Sequence, residues 1–123
     1  MTTPPRSLVV KCTAAAEDAE RCAQAFTVAA TAITAGVAVS LWLTGDAAWF
    51  GVPGRAEGFV LPHSAPLAQL RDVVLEAGTL TVCTQCAQRR SITEAQLIPG
   101  VRIAGSASFV DEILQPGAQA LVY

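Results

Sequence analysis

The stretch Leu80-Thr81-Val82-Cys83-Thr84-Gln85-Cys86-Ala87-Gln88-Arg89-Arg90 joins an apolar run to a segment of helix formers at two cysteines spaced CxxC. The run, from Thr79 to Cys83, reads as a buried strand, and the segment after it as a helix ending near Arg90. Strands that pass directly into helices are the repeating unit of an α/β fold. The junction also puts the thiols where a helix directs unpaired N–H groups and the positive end of its dipole, which favours thiolate over thiol.

Working back from this junction, Gly78 ends a helix that Pro66 opens and that runs through Glu76, with Leu67, Leu70, Val73, Val74 and Ala77 at helical spacing. A loop from Gly45-Asp46 to Pro66 precedes it, long enough to suggest a function of its own. Ala38 to Leu43 reads as a second strand. Gly36 sits where a left-handed cap is expected, at the end of an alanine-rich helix whose start signals lie between Thr13 and Asp18. Glu17, Asp18 and Glu20 suit its positive end. The apolar run Ser7 to Cys12 is the first strand.

Beyond the CxxC helix, Pro99-Gly100 marks a turn, Val101 to Ala104 a fourth strand, Ser106 or Ala107 to Leu114 a helix, and Ala118 to Tyr123 a fifth strand. This alternation predicts a single three-layer α/β/α domain with a mostly parallel five-stranded sheet, over residues 8–123, behind an N-terminal tail of residues 1–7. Ligands of such sheets gather at the carboxyl ends of the strands, where Cys12 and Cys83 both fall.

At 123 residues and 52% hydrophobic the chain can bury a core, whereas 15% charged residues are too few to cover a monomer, so a homo-oligomer is expected. A net charge of −2 argues against nucleic acid and anionic membrane as partners. Phe26 to Leu43 carries no formal charge, but Gly36 divides it into helix, cap and strand, which reads better than a membrane span. The opening Met1-Thr2-Thr3-Pro4-Pro5-Arg6 lacks the n-region and h-region of a secretory signal, which predicts a cytoplasmic location. Four cysteines there are catalytic, metal-binding or buried thiols rather than structural disulfides.

No GxGxxG or Walker sequence is present, and the turn after the first strand has no glycine, so no nucleotide cofactor is expected. A zinc site at Cys83 and Cys86 would need two more ligands from Cys12, Cys22 or His63; without a second CxxC or paired histidines, no metal is expected. Cys22, among alanines, reads as core packing. Cys12, Lys11, Trp49 and the lone histidine His63 are neighbours that could reach the thiols, each with a plainer reading as a packing or surface residue. Lys11 would then lower a thiol pKa. Trp42, Trp49 and Phe50 read first as packing and second as a hydrophobic lid, while Arg89 and Arg90 suit the C-terminal end of the CxxC helix.

From Leu8 to Tyr123 the sequence resembles the DsrE/DsrF-like family. Ala16-Glu17-Asp18-Ala19-Glu20-Arg21-Cys22 is similar to that family's "pEDpeRa" helix start, and Gly36 to Asp46 to its "Gv-V-lfltGD" strand. Val82-Cys83 to Arg90, Leu97-Ile98-Pro99-Gly100-Val101 and Ala120-Leu121-Val122-Tyr123 resemble its cysteine loop, "lipGv" turn and closing strand. Ser91 stands where the family often has glycine. The resemblance implies a small α/β protein assembling as trimers or hexamers, some members relaying sulfur as a cysteine persulfide. It puts Cys83 at the persulfide-carrying position and implies protein sulfur donors or acceptors as partners.

The expected function is a cysteine-based sulfur carrier or sulfurtransferase, holding a persulfide on Cys83 and passing it to an acceptor thiol, with Cys86 able to resolve it. Two alternatives stay open: a thiol–disulfide redox protein using Cys83 and Cys86, and a noncatalytic oligomeric binding module with an apolar pocket under the 45–66 loop.

Overall fold

The computed structural model describes residues 6–123. Five strands, β1 (Ser7–Cys12), β2 (Ala38–Leu43), β3 (Thr79–Cys83), β4 (Arg102–Ala104) and β5 (Ala118–Val122), form one sheet in the order β4-β3-β2-β1-β5. Every pairing is parallel. β1 takes in Ser7, the last residue of the expected tail, and residues 1–5 of that tail lie outside the described residues.

Helices α1 (Ala19–Thr34) and α2 (Leu67–Ala77) pack together on one face. The Asp18 side chain caps α1 by accepting the Arg21 N–H. At the other end Gly36, at φ 84°, closes the helix by donating to Ile33 O, while Val37 N–H donates to Ala32 O. Alternate residues point into this layer, Val10 and Cys12 from β1, Leu41 and Leu43 from β2, and Leu80 and Val82 from β3, meeting Phe26, Ala29, Leu67 and Val74. This is the main core. No helix is long and apolar enough to cross a membrane among the described residues.

Two details of α2 differ from its expected apolar stripe. Val73 is exposed, and Arg71 takes a buried position instead, at 5% exposure. Its guanidinium makes paired bonds to Glu57, 2.9 and 3.1 Å, and a third to Asp72, which satisfies the charge that burial would otherwise penalise. The ion pair fastens the 45–66 connection to α2. That connection contains two short 3₁₀ segments, Gly45–Gly51 and Ala56–Gly58, and Phe50 packs edge-on against Phe26 and Phe59, each at 5.9 Å.

The opposite face of the sheet carries α4 (Ser106–Ile113). Phe109 meets the buried Trp42 edge-on at 5.4 Å. Glu112 accepts hydrogen bonds from Ser40, from Trp42 Nε1 and from Arg102, and Arg102 also donates to Thr81. α4 has no fully buried residue, so this polar and aromatic seam does much of the work of holding it.

Candidate functional site

Parallel register decides which sulfur atoms share a face. Cys12 pairs with Leu43, which pairs with Val82, so Cys12 points to the α1 side with Val82. Cys83 is one residue further and points to the α4 side, as does Lys11 through its row of Trp42, Thr81 and Arg102. The structure therefore separates Cys12 from Cys83 and brings Lys11 to the Cys83 face.

Cys83 ends β3 and is the N-cap residue of helix α3 (Thr84–Arg89). It is half-buried; the other three cysteines are buried, and all four are free thiols. Burial works against a charged sulfur at Cys83. The N–H of Cys86, the Cys86 thiol, the N–H of Gln85 and the Lys11 ammonium act the other way, and together they hold the Cys83 thiol below its ordinary pKa. The N–H groups stop short of a full capping bond, so they act chiefly as oriented dipoles.

Cys86 sits in the first turn of α3, with its sulfur accepting the Gly45 N–H at 3.2 Å. Gly45 can present that N–H because it lies at φ 57°, and a side chain there would press to 3.1 Å from Thr13 O. Next to it, Asp46 accepts from Arg90 Nε at 2.9 Å, while Arg90 Nη1 bonds Cys86 O at 3.1 Å. Arg90 thus ties the start of the long connection to α3.

The end of α3 answers the Ser91 departure. Ser91 N–H donates to Gln88 O and Ile92 N–H to Ala87 O, the double bond pattern of a left-handed helix cap. Ser91 adopts that conformation itself, at φ 55°. The serine keeps the glycine-like turn, and buried Ile92 anchors it.

The remaining expected neighbours lie elsewhere. His63, also at positive φ, lines a cleft with Leu61 and Ala65 against Glu20, Gln24 and Thr27 on the outer side of α1. The α1 layer and the sheet separate it from Cys83. Cys22 is wholly buried in α1; its contact with Cys12 and its burial push its thiol pKa up, as suits a packing residue. Trp49 lies under Arg55, whose guanidinium is 4.2 Å from the ring, in a cleft of about 480 Å³ shared with Phe50, Phe59, Asp46 and Glu17. The cleft lies at the 45–66 connection, where an apolar pocket is expected, but Glu17, Asp46 and Arg55 share its lining, and Cys83 is not among its lining residues. Among the described residues no three His, Cys, Asp or Glu side chains group to hold a metal ion.

The fold is that of a small parallel α/β protein with a half-buried thiol, Cys83, at the carboxyl end of its sheet. A family model described as the DsrE/DsrF-like family matches residues 6–123, and the chain belongs to that family. Among solved structures, the ychN protein from E. coli is similar, with a TM-score of 0.79 at 18% identity, covering 96% of this chain and 99% of that one; the likeness is one of fold. No curated protein matched the sequence.

Proposed function

We propose that the protein is a sulfur carrier or sulfurtransferase that holds sulfane sulfur on Cys83. The observation that carries this reading is the half-buried Cys83 thiol, held below its ordinary pKa on the open end of the sheet while the other three cysteines are buried. Family membership supports a fold of the sulfur-relay type. In the transfer, Cys83 thiolate attacks the outer sulfur of a donor persulfide. A bond forms between Cys83 Sγ and that sulfur, the donor S–S bond breaks, and the donor leaves as a thiolate. An acceptor thiolate then attacks the same outer sulfur and releases Cys83 as thiolate, with no net oxidation.

The test is single-turnover transfer. The protein is loaded with a low-molecular-weight persulfide, freed of excess donor and mixed with an acceptor thiol. Native protein and Cys86→Ser are expected to deliver sulfur, and Cys83→Ser to deliver none. Transfer by Cys83→Ser would end the reading. The place of Cys86 in the first turn of α3, directly after the N-cap Cys83, favours a second one, a dithiol couple in which each cysteine is indispensable for cycling.

The proposal includes self-association, as a trimer or hexamer, in the reducing cytoplasm. Val110 on α4 and Leu114 just after it, with Leu121 and Val122 on β5, are exposed apolar residues, and β5 is an edge strand. Light scattering at micromolar concentration is expected to give a multiple of the 12.7 kDa chain mass. A strictly monomeric mass would remove this part of the proposal.

A further inference from the structure

Among the described residues Lys11 is a cation without a counter-ion. Its ammonium lies 4.0 Å from the centroid of the Phe109 ring, half-buried between the sheet and α4. Its half-buried ammonium has only the aromatic face for company.

The surroundings explain why. Lys11's neighbours in its register row are Trp42 on β2 and Val122 on β5, and its neighbour on α4 is Phe109, none of them acidic. Tyr123 packs toward the core on the other face. Of the two acids on α4, Asp111 is exposed to solvent and pairs with no cation among the described residues, and Glu112 is occupied by Ser40, Trp42 and Arg102. Arg102, the other cation in the row, is spent on Glu112 and Thr81. On the sheet itself, register puts the Cys83 sulfur on the same face as Lys11, and the Lys11 charge acts on it.

We propose that Lys11 is a positioning residue that serves as the counter-charge for the sulfur on Cys83, thiolate or persulfide anion, with Phe109 holding its ammonium at that face. The inference deepens the carrier reading and rests on it for its purpose. An ammonium beside the site steadies the attacking thiolate before transfer and the terminal anionic sulfur after it, while its stem crosses the apolar surface of Trp42 and Phe109. Phe109 attracts the cation without neutralising it, as a carboxylate would.

The test is the pH dependence of Cys83 alkylation by neutral iodoacetamide, followed by peptide mass spectrometry in native protein, Lys11→Met, Lys11→Arg and Phe109→Leu. Lys11→Met should move the midpoint to higher pH and slow the reaction at pH 7 by about fivefold, a screened single-charge effect. The limiting rate at high pH should be unchanged. Lys11→Arg should restore most of the rate at pH 7. Phe109→Leu, which keeps apolar volume, should move the midpoint the same way by less, and it provides a second route should Lys11→Met fold poorly.

A Lys11→Met midpoint equal to the native one would overturn the proposal, as would Lys11→Arg behaving like Lys11→Met. So would a fall in the limiting rate with no shift in midpoint, which marks a merely structural lysine. Alkylation requires no sulfur loading, so the two ideas fail separately: a shifted profile in a protein that delivers no sulfur would retain Lys11 and discard the carrier.

Discussion

Trp42→Ala is expected to lower the unfolding free energy by about 4 kcal/mol, the scale of deleting a fully buried aromatic side chain. Trp42 is 1% exposed and occupies the centre of the sheet beneath α4. Its ring packs on Phe109, the Arg102 guanidinium lies 5.3 Å from it, and its Nε1 donates to Glu112 at 3.1 Å. Because α4 buries no residue completely, loss of this ring should loosen the helix before the main core yields. Trp42→Phe keeps most of the packing and loses only the indole donor, so it should cost about 1 to 2 kcal/mol. Urea unfolding at fixed protein concentration reads both, and a loss under about 1 kcal/mol for Trp42→Ala would show that α4 is held by something else.

Glu112→Gln is expected to cost about 2 kcal/mol near neutral pH, because a carboxylate that accepts three hydrogen bonds, one from a guanidinium, becomes a neutral amide. Burial pushes the Glu112 pKa up, but the bonds from Arg102, Ser40 and Trp42 outweigh it and hold the carboxyl below its usual range. The folded pKa therefore lies under the unfolded value of about 4.3. Stability from Glu112 is fully present above that unfolded value and is lost as pH falls through the folded one. Unfolding curves of native protein and Glu112→Gln should accordingly stand apart at pH 7 and converge in acid. A constant separation across that range would place the effect in packing instead of charge.

The element order was legible because the chemistry that sets it is local. Apolar runs, the Gly36 cap and the strand-to-helix junction at Cys83 each declare themselves over a few residues, and the elements follow in the order the sequence puts them; α1 begins at Ala19, several residues after its first start signals, and most other bounds fall within a residue of those expected. Register is not local. Cys12 and Cys83 both end strands, yet whether they share a face depends on how β1, β2 and β3 align, and the alignment sends them apart. The same alignment puts Lys11, expected as one of several residues able to reach the thiols, on the Cys83 face of the sheet.

Tertiary partners hid the rest. Nothing local marks Arg71 for burial; its partner Glu57 lies fourteen positions earlier, and Arg71 is buried while Val73, expected on the apolar stripe, is exposed. Arg90 reads as a dipole cation until Asp46 arrives from the start of the connection, 44 positions earlier. His63 sits in a loop whose path no periodicity encodes, and that path leads to the outside of α1. The backbone of Ser91 shows that a serine can hold a position usually given to glycine when two cap bonds and the buried Ile92 fix the turn.

Intact-protein mass spectrometry after mild treatment with a persulfide donor tests the central claim most directly, with native protein, Cys83→Ser and Cys86→Ser side by side. A gain of one sulfur, about 32 Da, in native protein and in Cys86→Ser but not in Cys83→Ser is the predicted result, given that only the ionised, accessible thiol attacks the donor. A loss of two hydrogens requiring both cysteines, with no sulfur gained, or a sulfur gain that persists in Cys83→Ser, would contradict it.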